Sequence, residues 1–196
     1  MMKDDAGRNR DFEQQVVRLL DHIDPQPFRE GLAETPLRVS KAWAHWVSGY
    51  GKDPAEILKV FADGAEGVDE MVIEVDIPFY SHCEHHLAPF FGLASVAYVP
   101  SGKVLGLSKM NRLVDLFARR LQVQERMTNQ IADALDTILS PLGCGVLVRA
   151  RHMCVESRGV AHRGCSTTTS ALRGVLKTDP SARAEFLKLA ATTTPI

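Results

Sequence analysis

Apolar residues change their spacing along residues 71–176, and the order of these changes constrains the fold more than any other feature of the sequence. The segments MVIEVDIPF and GLASVAYVP have the pattern of β-strands. Two segments with helical spacing follow, one containing Leu113 and Phe117 and the other Ile131 and Leu135. The segments GVLVRARHMC and TTTSALRGVL then return to strand-like patterns. This order predicts an α+β fold, in which a four-stranded antiparallel sheet carries two helices on one face.

The first predicted strand alternates apolar and polar residues. This alternation predicts that one face carries the apolar residues Ile73, Val75, Ile77 and Phe79. A strand of this kind buries one face against a core. An open sheet also leaves edge strands, whose backbone groups need cover or partners. The sequence therefore predicts that copies of this chain associate through the sheet.

Residues 11–63 carry helical patterns instead, ahead of the predicted sheet. Thr35 is predicted as an N-cap, because Pro36 follows at the first helical position. The segment DPAEILKVF predicts a further helix, with Asp53 and Glu56 at the spacing of a capping box. We therefore predict an N-terminal helical region at residues 1–66 and a sheet-containing domain at residues 67–196.

The composition excludes several classes of partner. The 196 residues include 23 basic and 24 acidic side chains, so a net charge of −1 gives no general attraction to nucleic acid or to anionic membranes. No apolar segment approaches the roughly 20 residues of a membrane span, and the N-terminus lacks the apolar core of a signal peptide. We therefore expect a cytoplasmic protein, in which cysteines are metal ligands or ordinary buried thiols rather than disulfides. The four cysteines are Cys83, Cys144, Cys154 and Cys165, of which Cys144 and Cys165 are interpreted as ordinary small residues.

The stretch SHCEHHLAPFFG concentrates metal-binding side chains directly before an apolar segment. Cys83 and His86 have the C-x-x-H spacing that lets a thiolate and an imidazole share one zinc ion. His152 and Cys154 are two residues apart on a predicted strand, so both side chains are expected on the same sheet face. With Cys83, His86 and Cys154 as ligands, one tetrahedral position stays open for water, as in catalytic zinc sites.

The neighbouring polar residues leave alternatives open. His85 and His152 can transfer protons near neutral pH, or one of them can complete the zinc shell and make the site structural. Glu84 either orients a ligand or forms a salt bridge. His82 is interpreted as a surface or loop residue.

A second group of residues has the character of an anion site. Ser108 is predicted as an N-cap, with Lys109 and Arg112 in the first helical turn. Free N–H groups at a helix start attract anions, and the two cations add to this attraction, although a solvated helix start has the same composition. The P-loop pattern G-x-x-x-x-G-K-[ST] does not occur. Gln124 and Glu125 begin the second predicted helix, where they are suited to capping it.

Three segments in order, CEHHLAPFFGLASVAYVP, GLSKMNRLVDLFARRLQVQERMTNQIADAL and HMCVESRGV…STTTSALRGVL, closely resemble the GTP cyclohydrolase I family. The resemblance extends over about residues 28–190. It implies the tunnelling fold and a homodecamer of two stacked pentamers with active sites between subunits. It also implies zinc-dependent hydrolysis of GTP to formate and 7,8-dihydroneopterin triphosphate, the first step of tetrahydrofolate biosynthesis.

The resemblance also implies individual roles. By this resemblance, water activated by zinc would attack C8 of the purine while a histidine protonates the ring nitrogen, formate would leave, and the ribose would rearrange and close onto the freed amine. The zinc ligands would be Cys83, His86 and Cys154, and the catalytic histidines His85 and His152. The triphosphate would be held by Ser108, Lys109, Arg112 and Arg158, and guanine by Gln124 and Glu125.

Three rival functions are weaker. A zinc nucleobase deaminase needs H-x-E followed by P-C-x-x-C; residues 82–84 satisfy the first half, but no C-x-x-C occurs. The C-E-H-H run and the distant H-x-C of this sequence argue against another tunnelling-fold enzyme acting on pterins or deazaguanines. A non-catalytic zinc-stabilised assembly module would explain the ligands but not the unused histidines and the basic cluster. Metal content together with turnover of GTP separates these functions.

Overall fold

The structure is a computed structural model that describes residues 5–191, with side chains from Asn9 onward. The chain forms two compact units, of which the first ends at Val47 and the second begins at Ser48. The predicted domain boundary after residue 66 lies before the first long strand of the sheet, and this boundary stays a prediction. None of the described helices combines the length and apolarity that crossing a membrane requires.

The first unit is helical. Its elements are α1 (Asp5–Ile23), a 3-10 turn (Glu30–Leu32) and α2 (Thr35–Trp46). Helix α2 begins at Thr35 itself and Glu34 is the N-cap, so the prediction of Thr35 as N-cap was wrong by one residue. Helix α1 begins at Asp5, the first of the described residues, and so extends ahead of Phe12.

The second unit contains the sheet. Its elements are α3 (Pro54–Ile57), β1 (Val60–Phe61), β2 (Val72–Cys83), β3 (Pro89–Val99), β4 (Val104–Leu105), α4 (Ser108–Ala118), β5 (Leu121–Gln122), α5 (Gln124–Leu139), β6 (Gly143–His152), α6 (Met153–Glu156), β7 (Thr167–Gly174), α7 (Val175–Thr178) and α8 (Pro180–Ala190). The sheet order among the described residues is β5-β2-β3-β6-β7. Its four long strands are antiparallel, as predicted, and the two-residue β5 adds a parallel strand beside β2.

The predicted helix over DPAEILKVF forms for one turn only. Asp53 caps α3, since its carboxylate accepts a hydrogen bond from Ala55 N–H at 2.9 Å. The chain then changes conformation at Leu58, and β1 pairs with β4 in a separate two-stranded ribbon.

Both long helices of this unit pack on one face of the sheet, which confirms the predicted α+β arrangement. Val146, Val148 and Ala150 of β6 are fully buried against a core that includes Leu113 of α4 and Ile131 of α5. Burying each side chain of valine or leucine size contributes about 1.5–3 kcal/mol to folding. The other face is covered at one end by α8, in a smaller cluster formed by Ala97, Leu172, Leu176, Phe186 and Ala190.

A β-bulge changes the direction of side chains along β2. The pairing of β2 with β3 shifts register between Glu74 and Ile77, where Asp76 adopts a left-handed backbone conformation with φ +56°. An extra residue in one strand moves the following side chains to the opposite face. Ile73 therefore packs in the α8 cluster while Ile77 packs in the main core. The prediction that all four apolar residues from Ile73 to Phe79 share one face was wrong.

The start of β3 joins the ends of β2 and β6. Pro89 pairs with His82 of β2, and Phe90 pairs with His152 of β6. Strand β6 ends at His152, and the chain turns directly into α6, so Cys154 does not lie on the strand as predicted. Cys154 instead reaches the end of β2 from this helical turn.

A substitution of Gly92 tests the close approach of β3 and β6, because a Cβ built there would lie 1.9 Å from the Arg149 carbonyl oxygen. We expect Gly92→Ala to destabilise the protein by roughly 1–3 kcal/mol, because the strands must separate to admit the methyl group. Gly31→Ala is the matched control, as no atom lies within 4 Å of its added Cβ. Urea unfolding at a fixed chain concentration measures both, and equal stabilities would contradict the described packing.

Candidate metal centre and active site

A tight turn after β2 places Cys83 and His86 close together. Cys83 N–H donates to Ala88 O and Leu87 N–H donates to Cys83 O, each at 2.9 Å. Leu87 adopts a left-handed conformation with φ +54°, which a leucine rarely does without such constraints. Glu84 N–H donates to Gln122 O at 3.0 Å and ties the turn to β5. The backbone therefore holds the turn at both ends.

Three side chains from two distant segments converge at this turn. Cys83 Sγ lies 3.9 Å from His86 Nδ1, and one ring nitrogen of His86 and the two Sγ atoms of Cys83 and Cys154 all lie within 4.8 Å of one another. Bond lengths of about 2.0–2.3 Å imply ligand separations of about 3.3–3.8 Å in tetrahedral zinc. The cluster therefore fits a divalent metal with a small closing movement, and two sulfurs with one imidazole are donors that zinc accepts.

The two cysteines of the cluster influence each other. Burial raises the pKa of the Cys154 thiol, and the hydrogen bond and charge of the neighbouring Cys83 raise it further. The positive charge of Arg158 opposes this effect and shows that this side chain is near the cluster. A divalent cation bound by the two sulfurs would displace the thiol protons, because the thiolate is the form that binds metal.

Neither of the remaining histidines joins the cluster in the described part of the chain. His85 is exposed, and its ring centroid lies 6.3 Å from that of His86. His152 turns its Nε2 toward Gln124 Oε1, at 2.7 Å. The arrangement offers three protein donors, which is the number that leaves a fourth tetrahedral position for a small molecule.

His152 is held by its surroundings. Its ring stacks on Phe90 with centroids 4.7 Å apart and planes 3° apart. Burial lowers the pKa of His152, and the nearby Glu125 carboxylate raises it in part. The pKa thus lies below that of an exposed imidazole, which favours a neutral ring at neutral pH.

Gln124 and Glu125 begin α5 but have different surroundings. Val123 is the N-cap and no side chain caps the helix, so neither residue acts as the cap that the sequence suggested. Gln124 is buried, and its amide nitrogen lies within 3.1 Å of Val148 O, Thr167 O and Thr169 Oγ1. Glu125 is exposed beside it. The partners of Gln124 are distant in sequence, so no local pattern indicates them.

Glu84 forms a salt bridge, which was one of the two alternatives for this residue. Its carboxylate accepts a hydrogen bond from Arg126 of α5, and this bond and charge lower the pKa of Glu84. Arg126 Nε also donates to Gln122 Oε1. The pair of Glu84 and Arg126 therefore links the turn that carries Cys83 and His86 to α5 and β5.

His82 is buried within β2, at 8% exposure, and burial lowers its pKa. The prediction of a surface or loop position was wrong, because the strand continues one residue beyond His82 and pairs on both sides.

The basic cluster lies at the start of α4. Helix α4 begins at Ser108, with Leu107 as N-cap and no side-chain cap, so the prediction of Ser108 as N-cap was wrong. Ser108 and Arg112 are exposed and Lys109 is half-buried. Arg112 lines a surface cavity of about 340 Å³, whose other charged residues are Lys52, Asp115 and Arg119.

The start of α4 and the metal cluster lie at opposite ends of this helix. Near its start, Asn111 donates a hydrogen bond to Glu74, early in β2. Beyond its end, Arg120 O accepts from Ser81 Oγ at 3.4 Å, two residues before Cys83. At 1.5 Å per helical residue and about 3.3 Å per strand residue, roughly 20 Å separates Ser108 from Cys83. The structure therefore brings together the metal and histidine residues but not the basic cluster.

Comparison with known proteins identifies related sequences. The GTP cyclohydrolase I family profile matches residues 12–191. Proteins named GTP cyclohydrolase 1 are similar over most of the chain: that of Janthinobacterium sp. (strain Marseille) is 60% identical over 88% of this chain and 87% of its own, and that of Nitrosospira multiformis is 58% identical over 88% and 91%. Among solved structures, apo archaeosine synthase QueF-Like aligns with 53% of this chain and 93% of its own, at 19% identity and a TM-score of 0.45.

The arrangement predicts that substitution of a cysteine in the cluster reduces metal binding, whereas substitution of a cysteine outside it does not. We expect Cys83→Ser and Cys154→Ser to lose bound metal, since each removes a sulfur donor from a three-donor cluster, while both proteins stay assembled. Cys165→Ser is the matched control, because Cys165 is exposed and outside the cluster. Elemental analysis of dialysed protein measures the metal, and full metal content in Cys83→Ser would exclude this ligand set.

Proposed function

The chain belongs to the GTP cyclohydrolase I family, and on that premise we propose that it hydrolyses GTP to formate and 7,8-dihydroneopterin triphosphate with zinc as cofactor. The match over residues 12–191 carries this proposal. The proposed ligands are Cys83, His86 and Cys154, whose donor set suits zinc. Bound zinc would supply Lewis acidity and activate a water molecule as the nucleophile.

We assign recognition of the purine to the start of α5. Guanine presents N1–H and its 2-amino group side by side, and one carboxylate can accept both hydrogen bonds. Glu125 is an exposed carboxylate in the first turn, close enough to His152 to influence its pKa. Adenine lacks this pair of donors, so the carboxylate would select for guanine. Gln124, the preceding residue, is assigned to the same site by its position beside Glu125, although its side-chain amide is bound within the chain.

We assign the proton transfers to His152 and His85. Opening the purine ring requires a proton on a ring nitrogen as C8 is attacked, and further proton transfers accompany loss of formate and closure of the second ring. The lowered pKa of His152 suits a group that must be neutral in part of the cycle. His85, exposed next to the ligand His86, is suited to exchange protons with solvent.

We assign the triphosphate to Ser108, Lys109, Arg112 and Arg158. Several cations are needed for this anion, and arginine donates paired hydrogen bonds to phosphate oxygens. Arg158 is near the metal cluster, whereas the start of α4 is roughly 20 Å from it within one chain. A neighbouring chain is therefore expected to supply the α4 residues, which supports active sites between subunits and a homo-oligomer, with a decamer of two pentamers as the proposed form. The cytoplasmic location stays a prediction of the sequence.

A substitution of His152 distinguishes a role in catalysis from a role in metal binding. We expect His152→Ala to keep its zinc while product formation falls by at least about 100-fold, because a proton-transfer group is removed but no ligand is. The measurements are zinc content, formate release and fluorescence of the oxidised pterin, with the wild type assayed with and without chelator. His22→Ala, an exposed position of α1, is the control. Loss of zinc in His152→Ala would make this residue a ligand instead.

Mixed oligomers test the sharing of sites between chains. Cys83→Ser and Arg112→Ala chains, each expected to be inactive alone, are co-expressed with different tags and purified through both. If metal and phosphate residues of one site come from different chains, about a quarter of the sites in a random mixture are intact, so about a quarter of wild-type activity returns. Mixed oligomers no more active than the separate variants would place both groups in one chain.

A further inference from the structure

A buried glutamine holds the ring of His152 and is itself held by two strands. Gln124 is 2% exposed, and its Oε1 lies 2.7 Å from His152 Nε2. Its Nε2 lies 3.1 Å from Val148 O of β6 and 3.0 Å from Thr167 O of β7. The side chain thus spans from the sheet to the histidine.

The partners of Gln124 determine which way its amide points. Backbone carbonyl oxygens only accept hydrogen bonds, so the two N–H groups of the amide must face Val148 and Thr167. The reversed amide would set its own oxygen against two carbonyl oxygens and leave buried N–H groups misplaced. The amide oxygen therefore faces His152, and because it can only accept, His152 Nε2 must carry a hydrogen.

The surrounding contacts prevent easy rearrangement. Thr128 Oγ1 lies 2.8 Å from Gln124 O and 2.7 Å from Thr169 Oγ1, which lies 3.1 Å from Gln124 Nε2. On the other side, the His152 ring is stacked on Phe90. A flip of the Gln124 amide would break several buried hydrogen bonds at once, and a flip of the His152 ring would break its hydrogen bond to Gln124 Oε1.

We propose that Gln124 is a positioning residue that fixes the Nε2–H form of His152, so that Nδ1 is the ring atom that exchanges a proton with the substrate. The proposal rests on the proposed function, since it requires His152 to transfer a proton. It gives the Gln124 side chain a role other than contact with guanine, because both its nitrogen and its oxygen are already bound within the chain.

Nitrogen spectroscopy tests the tautomer without relying on activity. Zinc-loaded protein labelled with ¹⁵N-histidine is sedimented at about pH 8, where imidazoles are neutral, and studied by magic-angle-spinning NMR. Comparison with the His152→Ala spectrum assigns the resonances of this ring. We expect a protonated Nε2 and an unprotonated Nδ1. A protonated Nδ1 with an unprotonated Nε2 would overturn the proposal, even if no variant of Gln124 folds.

Kinetics separate positioning from recognition of guanine. We expect Gln124→Leu to lower kcat at least about tenfold while KM for GTP changes less than about threefold. The preference for GTP over inosine triphosphate, which lacks the 2-amino group, should stay unchanged. Thr128→Val is the matched control, since it alters the same buried cluster but leaves Gln124 Oε1 and His152 in contact, and its kcat should stay within about threefold.

The alternative outcomes are distinct. A Gln124→Leu variant that loses the preference for GTP, or that keeps wild-type kcat, overturns the positioning role. Inactivity of the wild type on GTP would overturn the proposed function instead, and the spectra would then still decide which nitrogen of His152 carries the hydrogen.

Discussion

Backbone pairing at the start of β3 is the interaction on which the candidate site depends. Pro89 pairs with the end of β2 and Phe90 with the end of β6, so a single short segment aligns the strand ends that carry Cys83 and His152. A slip of one residue in either register would turn the side chains to the opposite face. The metal cluster is therefore a consequence of strand register, and the turn after β2 and helix α6 complete it.

The same alternation that builds the core also positions the chemistry. Along β6, Val146, Val148 and Ala150 fill the face beneath the helices, and His152 is the next residue on that face. The apolar packing thus continues into the site, where Phe90 stacks against the imidazole. A polar group at this depth needs a partner, and Gln124 provides one from α5.

The second constraint is the length of α4. This helix spans the face of the sheet, so its first turn, with Lys109 and Arg112, is separated from the end that lies near Cys83. On the proposed function, a single chain presents two partial sites, one for a metal and a purine and one for an anion. The association of copies through sheet edges, which the sequence predicts, is the simplest way to complete both.

The sequence by itself determined the order of the four long strands and the two long helices, the packing of these helices on one face and the grouping of metal-binding residue types, because apolar periodicity and short motifs are local properties. Only the tertiary structure decided the bulge near Asp76, the burial of His82, the helical turn that carries Cys154 and the hydrogen bonds of Gln124. These depend on pairing and packing between residues far apart in the chain, and a local pattern carries no information about such partners. The distance between the start of α4 and the metal cluster is likewise set by how the helix crosses the sheet, and no spacing in the sequence records it.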